Sequence, residues 1–140
     1  MEENLLKGLA AFLAAAGVGF YHATDVYPAG VRGIFLTESP STHPDALSLA
    51  SYSVDDAVSG ADTTVGVQVR FRSYTPNDCN GAASDVFQAL QGLQGVVFGG
   101  VRTLQILRRS SAPLGPNAQG LYERTDNYYV DAYNPAPHRY

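Results

Sequence analysis

The segment that most limits the fold of this chain is residues 65–73, where apolar and polar side chains alternate. Valine or phenylalanine occupies every second position from 65 to 71, and Gln68, Arg70 and Arg72 lie between them. Successive side chains of a strand point to opposite faces of a sheet, so this period of two predicts a strand that is buried on one face only. The chain therefore needs a sheet, and it needs other elements to cover the apolar face of that sheet.

Two segments have the helical spacing that would provide this cover. Residues 3–16 carry leucine, phenylalanine and alanine along one stripe of a helix, and Gly17 follows as a helix end. Residues 82–93 carry a second stripe, with candidate capping residues at 76–78 and Gly95 beyond it. We expect two helices that pack on one face of the sheet.

Further strands are predicted from shorter or less regular alternations at residues 33–37, 46–54, 101–109 and 121–133. The first two flank a polar turn at residues 39–44, so we expect them to pair as a hairpin. Residues 110–120 are polar and contain proline, which predicts a long loop. Residues 134–140 contain two prolines and cannot hold a sheet ladder, so we expect an extended C-terminal arm.

These elements together predict one α+β domain over residues 1–140. Its sheet is expected to be single and mixed or mainly antiparallel, with two helices packed on a face and long loops. A chain of 140 residues is too short for two ordinary domains, so one core must account for the whole molecule.

The chain carries little charge for a soluble protein. Charged residues make up 16% of it, against about 25% in an average soluble protein. A domain of this size still exposes about 30% of the surface of its unfolded chain. We therefore expect partner subunits to cover part of the folded surface.

The net charge of −4 argues against a protein that binds nucleic acid by neutralising phosphates. The charge is unevenly distributed, since residues 20–63 sum to −5 and residues 64–110 sum to +3. Eight of the nine basic residues are arginine, which pairs with carboxylates at interfaces better than lysine does. A genome rich in guanine and cytosine would give the same bias, so the arginine content supports an interface without establishing one.

The sequence contains no recognisable catalytic, cofactor or metal signature. It has no phosphate-binding loop and no nucleophile elbow, and its three histidines are isolated. Asp55 and Asp56 have the polar surroundings of a solvated turn. Cys79 lies at a predicted helix N-terminus, which is the setting either of a reactive thiolate or of an ordinary small residue in a capping turn. We therefore expect no enzyme activity, no cofactor and no metal.

The single Cys79 excludes an internal disulfide and is typical of a protein made in a reducing compartment. The uncharged stretch at residues 8–21 is too short to span a bilayer, which takes about 18 apolar residues or more. Glu2 and Glu3 stand where a secretory leader carries basic residues, so neither secretion nor membrane insertion is expected.

Tyrosine and arginine remain to be explained, and both residue types anchor protein interfaces. Nine tyrosines occur without tryptophan, and five of them fall within the last nineteen positions. Alternation in residues 121–133 puts consecutive tyrosines on opposite faces of a strand, so both faces carry bulky apolar groups. The alternative is that these tyrosines lie on a wet face or inside the subunit's own core. We expect a subunit or partner interface that involves Arg70, Arg72, Arg108, Arg109, Asp126, Asn127, Tyr128 and Tyr129.

Five sequence pieces follow one another in the C-terminal two thirds of the chain. They are Val-Gly-Val-Gln-Val-Arg-Phe-Arg (65–72), Leu-Gln-Gly-Leu (90–93), Leu-Gln-Ile-Leu-Arg (104–108), Pro-Leu-Gly (113–115) and Glu-Arg-Thr-Asp-Asn-Tyr-Tyr-Val-Asp (123–131). In this order they resemble the minor capsid or tail terminator family of tailed bacteriophages. The length, the N-terminal helix and the proline-rich tail also agree, whereas residues 1–60 carry no matching motif.

The resemblance implies a virion structural protein of the tail-neck region, assembled in the host cytoplasm. It implies a homo-oligomeric ring, commonly a hexamer, that terminates the tail tube and contacts the tail tube protein and the head–tail connector protein. DNA would pass through the lumen without specific binding. Opposite charge in the two halves of the chain agrees with a head-to-tail ring.

Two other functions are considered beside this one. The first is another head–tail connector ring protein, such as a head completion or stopper protein. The second is a small ligand-binding or thiol enzyme domain that would use Cys79 and the tyrosines.

Overall fold

The computed structural model describes residues 1–24, 26–56 and 62–137. Its elements, in chain order, are α1 (Glu2–Ala15), β1 (Gly33–Leu36), β2 (Ala46–Asp55), β3 (Asp62–Ser73), α2 (Pro76–Leu90), β4 (Val97–Phe98), β5 (Val101–Pro116) and β6 (Tyr122–Tyr133). The strands form one six-stranded mixed sheet in the order β1-β2-β3-β6-β5-β4. This architecture confirms the predicted α+β fold with a single sheet and two helices.

The alternating segment forms the middle of the sheet, as β3. It pairs antiparallel with β2 on one side and with β6 on the other, so it is one of the two central strands. Its residues Val65, Val67, Val69 and Phe71 are buried, and they share their face with the β6 residue Val130. The period of two in the sequence therefore marks the face on which the core is built.

Both helices pack against this apolar face. In α1, Leu5, Leu9 and Leu13 are buried at helical spacing. In α2, Cys79 and Val86 are among the buried residues of the same hydrophobic core. Burying apolar surface in one cluster is the main favourable term for a domain of this size. Nothing in the described part of the chain meets the criteria for a membrane-spanning helix.

The start of α2 lies one residue earlier than the sequence indicated. The cap is Thr75, whose Oγ1 accepts a hydrogen bond from the backbone N–H of Asp78 at 3.1 Å. Pro76 occupies the first helical turn, where backbone N–H groups make no intrahelical hydrogen bond, so the lack of an N–H in proline costs nothing. Threonine before proline is a regular helix start, so this was readable from the sequence.

The predicted hairpin of the first two strands is wrong, because β1 and β2 are parallel neighbours. The chain leaves β1 at Thr37, which has a φ of +73°, and returns through residues 38–45 to start β2 beside the start of β1. The Arg72 guanidinium holds this return, since its Nη2 donates to the carbonyl oxygens of Pro40 at 2.6 Å and His43 at 2.7 Å. The turn that separates the two parallel strands is thus held by a contact over about thirty residues of chain.

The predicted loop at residues 110–120 is also wrong, because β5 continues to Pro116 and leaves only residues 117–121 as the connection to β6. The pairing of β5 with β6 skips Leu104, Arg109 and Leu114, which marks three bulges at intervals of five residues. Each bulge shifts the alternation by one position, so the period of two disappears from the sequence. Pro113 is tolerated because this part of β5 lies at an edge of the sheet.

Residues 134–137 follow β6 without strand structure, as expected of the start of an arm. The remainder of the predicted arm, His138–Tyr140 in the sequence, lies outside the described residues, as does Asp25.

Candidate subunit interface

The face of the sheet opposite the helices is called the open sheet face here. Its side chains come from the residues of β2, β3 and β6 that alternate with the core residues. No helix among residues 1–24, 26–56 and 62–137 packs on it, because both described helices contribute to the core on the other face. Its principal side chains are Tyr52, Gln68, Arg70, Arg72, Glu123, Asn127 and Tyr129.

Arg70 and Arg72 share the open sheet face, as alternation predicted, but they have different environments. The Arg70 side chain is about half exposed, and its Nε donates to Glu123 Oε1 at 2.8 Å. Arg72 is less exposed, and its guanidinium donates hydrogen bonds to backbone carbonyl oxygens of the turn between β1 and β2. A partly exposed ion pair contributes only about 0–1 kcal/mol to stability, so Arg70 remains available to a neighbouring carboxylate.

Three side chains join β2, β6 and β5 across this face. Tyr52 Oη donates to Asn127 Oδ1 at 3.1 Å, and Asn127 Nδ2 donates to Ser110 Oγ at 3.1 Å. The Tyr52 ring lies against Gly66, which directly faces it on β3 and has no side chain to displace it. Desolvation and the nearby Tyr129 raise the pKa of Tyr52, so its phenol stays neutral. Sequence reasoning missed Tyr52, although a glycine inside a strong strand signals a large cross-strand neighbour.

Tyr129 and Arg109 lie together at the β5 side of the same face. The Arg109 guanidinium carbon is 5.6 Å from the centre of the Tyr129 ring, within the range of a cation–π contact. Arg109 is one of the three bulge residues, and it is exposed. The bulge therefore places a cation at the rim of the open sheet face.

A groove of about 580 Å³ opens on this face, between the turn after β1 and the turn between β5 and β6. Charged and amide side chains line it, including Glu38, Arg70, Gln119 and Glu123. Pockets for small ligands are mostly apolar with a few polar groups, so this lining is better suited to contact with another protein.

Asp126 and Tyr128 lie inside the subunit, so their predicted part in the interface is corrected to an interior role. Both side chains are 0% exposed on the helical face of β6. Arg124 donates to Asp126 Oδ1 from Nη2 at 2.8 Å and from Nε at 3.1 Å. Alternation correctly put Tyr128 and Tyr129 on opposite faces, but it could not tell which face the helices cover.

Arg108 belongs to this interior group as well. Its Nη1 lies 3.6 Å from Asp126 Oδ2, and its guanidinium carbon lies 4.3 Å from the centre of the Phe87 ring. Arg108 thus balances the buried carboxylate and packs on α2, which leaves Arg109 as the outward-facing member of the pair.

The two unusual titratable groups of the core are kept neutral by burial. Desolvation raises the pKa of Tyr128 to about 12 and the pKa of the Cys79 thiol to about 11. A buried thiol with this pKa is a poor nucleophile at neutral pH, which argues against the thiolate considered for Cys79. Within the described ranges, no three histidine, cysteine or carboxylate side chains are grouped to hold a metal ion.

Exposed charges of opposite sign lie at the two edges of the sheet, although Arg70 and Arg72 of the basic half lie on the central strand β3. Strand order puts β1 and β2 at one edge and β5 with β4 at the other. Glu38, Asp55 and Asp56 are exposed on the acidic edge, whereas Arg102 and Arg109 are exposed on the basic edge. One carboxylate of the acidic half is used internally, since Asp45 Oδ1 lies 3.4 Å from Arg32 Nε. Opposite charges at two edges are complementary in the way that a head-to-tail contact between copies requires.

Comparison with known proteins gives one family and one related structure. The family model described as "Bacteriophage tail terminator protein" matches residues 12–134. A chain of the solved structure "Virion of native gene transfer agent (GTA) particle" has the same fold, with a TM-score of 0.58 and 14% sequence identity. That alignment covers 90% of this chain and 84% of the other chain. No curated protein matches the sequence.

Proposed function

Because this chain belongs to the bacteriophage tail terminator family, and is thus a structural protein of the virion, we propose that it forms the ring that terminates the tail tube. The ring has six subunits and joins the tail tube to the head connector. Its partners are further copies of itself, the tail tube protein and the head–tail connector protein. DNA passes through its lumen without specific binding.

The observation that carries this proposal is the family match, which runs from α1 to the end of β6 and so includes the whole sheet. The gene transfer agent chain supports the same fold within a virion particle. The opposite charges of the two sheet edges supply the contact that a head-to-tail ring requires.

The interface residues are proposed from their position in the subunit. Arg70, Arg109, Asn127 and Tyr129 lie on or beside the open sheet face, where a neighbouring subunit is able to touch them. Arg72 and Arg108 act indirectly, because one fixes the turn after β1 and the other balances Asp126. Together they shape the acidic and basic edges that meet in the ring.

The overall charge supports the proposal that DNA passes through the lumen without being bound. The chain has a net charge of −4, so a ring of such subunits does not attract phosphates overall. Nothing in the proposed role requires bond making or breaking, and the neutral Cys79 thiol agrees with a structural function.

Deletion of the gene from its phage tests this function by electron microscopy of the lysate. We expect tails of uncontrolled length that are not joined to heads, and restoration of normal particles when the chain is supplied from a plasmid. A stopper or head completion protein would behave differently, since its loss would leave tails of normal length beside heads that have lost DNA. That second result would replace the proposed function with the alternative.

A further inference from the structure

Within the described residues, two stretches of sheet edge have no strand beside them. The strand β1 pairs with β2 only at Ala46–Leu49, so residues 50–55, the β2 edge segment, have a vacant outer side. Residues 91–96 and β4 cover β5 as far as Arg108, so residues 109–116, the β5 edge segment, are vacant on the side away from β6. In the described part of the chain, no backbone hydrogen bond reaches either vacant side.

The two edge segments are similar in length and surface. The first contains one bulge, at Val54, and the second contains two, at Arg109 and Leu114. Val54 and Leu114 are exposed apolar side chains, with 39% of Val54 and 48% of Leu114 accessible. An exposed sheet edge with apolar side chains is a template for another strand, and natural proteins usually blunt or cover such edges.

The charges of the two segments are complementary. Arg109 begins the β5 edge segment and Asp55 ends the β2 edge segment, and both are exposed. No described carboxylate lies within ion-pair distance of Arg109, and no described cation lies within that distance of Asp55. Among the described residues, each charge therefore lacks an ionic partner and is open to a neighbouring molecule.

Strand direction determines how the segments meet. The strand β2 is antiparallel to β3, β3 to β6, and β6 to β5, so β5 runs opposite to β2 within one subunit. If a neighbouring subunit continues the sheet, its β2 lies antiparallel to this β5. Antiparallel pairing brings Arg109 beside Asp55, whereas parallel pairing would put them at opposite ends.

We propose that in the ring the β5 edge segment of each subunit adds as a strand to the β2 edge segment of the next. This rests on the proposed function, because it specifies how the copies of that ring join. Main-chain hydrogen bonds of the edge residues other than Pro113 and Pro116, which have no N–H, would provide the affinity, and the Arg109–Asp55 pair would fix the register. The two segments differ, so the contact is heterologous and repeats around a ring.

The offset of the two segments agrees with ring closure. The register can be followed across the sheet from β2 through β3 and β6 to β5. Along the strand direction, the centres of the two edge segments are then offset by four to five residues, about 15 Å. Four strand spacings, about 19 Å, separate equivalent positions in adjacent subunits. A closed ring allows no net rise, so the strands must incline to the ring axis by about 38°. Closed barrels have inclinations of roughly 35–45°.

Thiol crosslinking in assembled particles tests the pairing. Arg109→Cys and Asp55→Cys are combined in one full-length chain, which is supplied to the phage that lacks the gene. Purified particles are treated with a short bismaleimide, and the natural Cys79 stays unreactive because it is buried. We expect covalent multimers up to the full ring. The control combines Asp55→Cys with Arg102→Cys, an exposed arginine on β5 outside its edge segment, and should give only monomers.

Normal particles without multimers from the Arg109–Asp55 chain would overturn the pairing and leave the proposed function intact. Failure of the unmodified chain to restore normal tails would overturn the proposed function instead. If the chain with both cysteine substitutions does not assemble, exchange of the two charges tests the pairing instead. Arg109→Asp and Asp55→Arg should each lower the yield of infectious particles at least about tenfold, and the two together should restore it. No restoration by the double exchange would contradict the pairing.

Discussion

Replacement of Asp126 by alanine is expected to lower the free energy of unfolding by about 3 kcal/mol. The carboxylate is fully buried and holds Arg124 through two hydrogen bonds, with Arg108 close to its other oxygen. Removal of one member of a buried ion pair typically costs about 3–5 kcal/mol, because the remaining charge loses its partner. The lower end applies here, since both guanidinium groups keep some contact with water.

The matched control is Asp131→Asn on the same strand. Asp131 Oδ1 accepts a hydrogen bond from Thr64 Oγ1 at 2.7 Å, but it lies on the open sheet face and is only half-buried. We expect this variant to lose no more than about 1 kcal/mol. Urea unfolding of the purified chains measures both values, and equal small losses would contradict the interior role of Asp126.

Substitution of the adjacent tyrosines should separate folding from assembly. Tyr128→Ser is expected to lose about 3–5 kcal/mol, because it opens a cavity at a fully buried position between the sheet and the helices. Tyr129→Ser is expected to lose about 1 kcal/mol or less, since it removes only cross-strand contacts on the open sheet face. This second variant should fold, yet it should fail to join the ring that we propose.

Circular dichroism during urea titration measures folding, and complementation of the gene-deleted phage measures assembly. Tyr128→Phe serves as the control for packing. The Tyr128 hydroxyl is buried without a hydrogen-bond partner in the described residues, so its removal should leave stability unchanged or slightly higher. Two unfolded serine variants would show that Tyr129 is also interior.

The raised pKa of Tyr128 adds a pH dependence to this comparison. The folded state keeps the phenol protonated to about pH 12, whereas the unfolded chain releases the proton near its ordinary pKa of 10.0. The contribution to stability is therefore complete below about pH 10 and is lost as the pH rises toward 12. Tyr128→Phe should lose less stability than the natural chain over this interval.

Regular alternation and helical spacing made the centre of the fold predictable. The strands β3 and β6 and both helices were predicted from the spacing of apolar residues within each segment. The parallel β1–β2 pair was not predictable from the local pattern, because the turn between the strands is held by hydrogen bonds from Arg72, about thirty residues away in the sequence. The full length of β5 was hidden by three bulges, each of which shifts the side-chain period by one residue.

The candidate site was predictable in composition but not in arrangement. Sequence reasoning selected arginine and tyrosine as interface types, which stays a prediction, and the acidic and basic halves were visible as segments. That exposed charges of the two halves lie at opposite sheet edges follows only from the strand order. One local feature indicated that Asp126 is interior, since it lies on the same face of β6 as Tyr128 and Val130. Carboxylates are normally exposed, however, so residue type favoured the opposite prediction.

Cryo-electron microscopy of the neck of the assembled particle tests the central proposal most directly. We predict one closed ring of six copies stacked on the last ring of the tail tube, with the β2 edge segment of each copy facing the β5 edge segment of the next. Absence of the chain from the tail end, or copies related by two-fold axes through identical surfaces, would contradict the proposal.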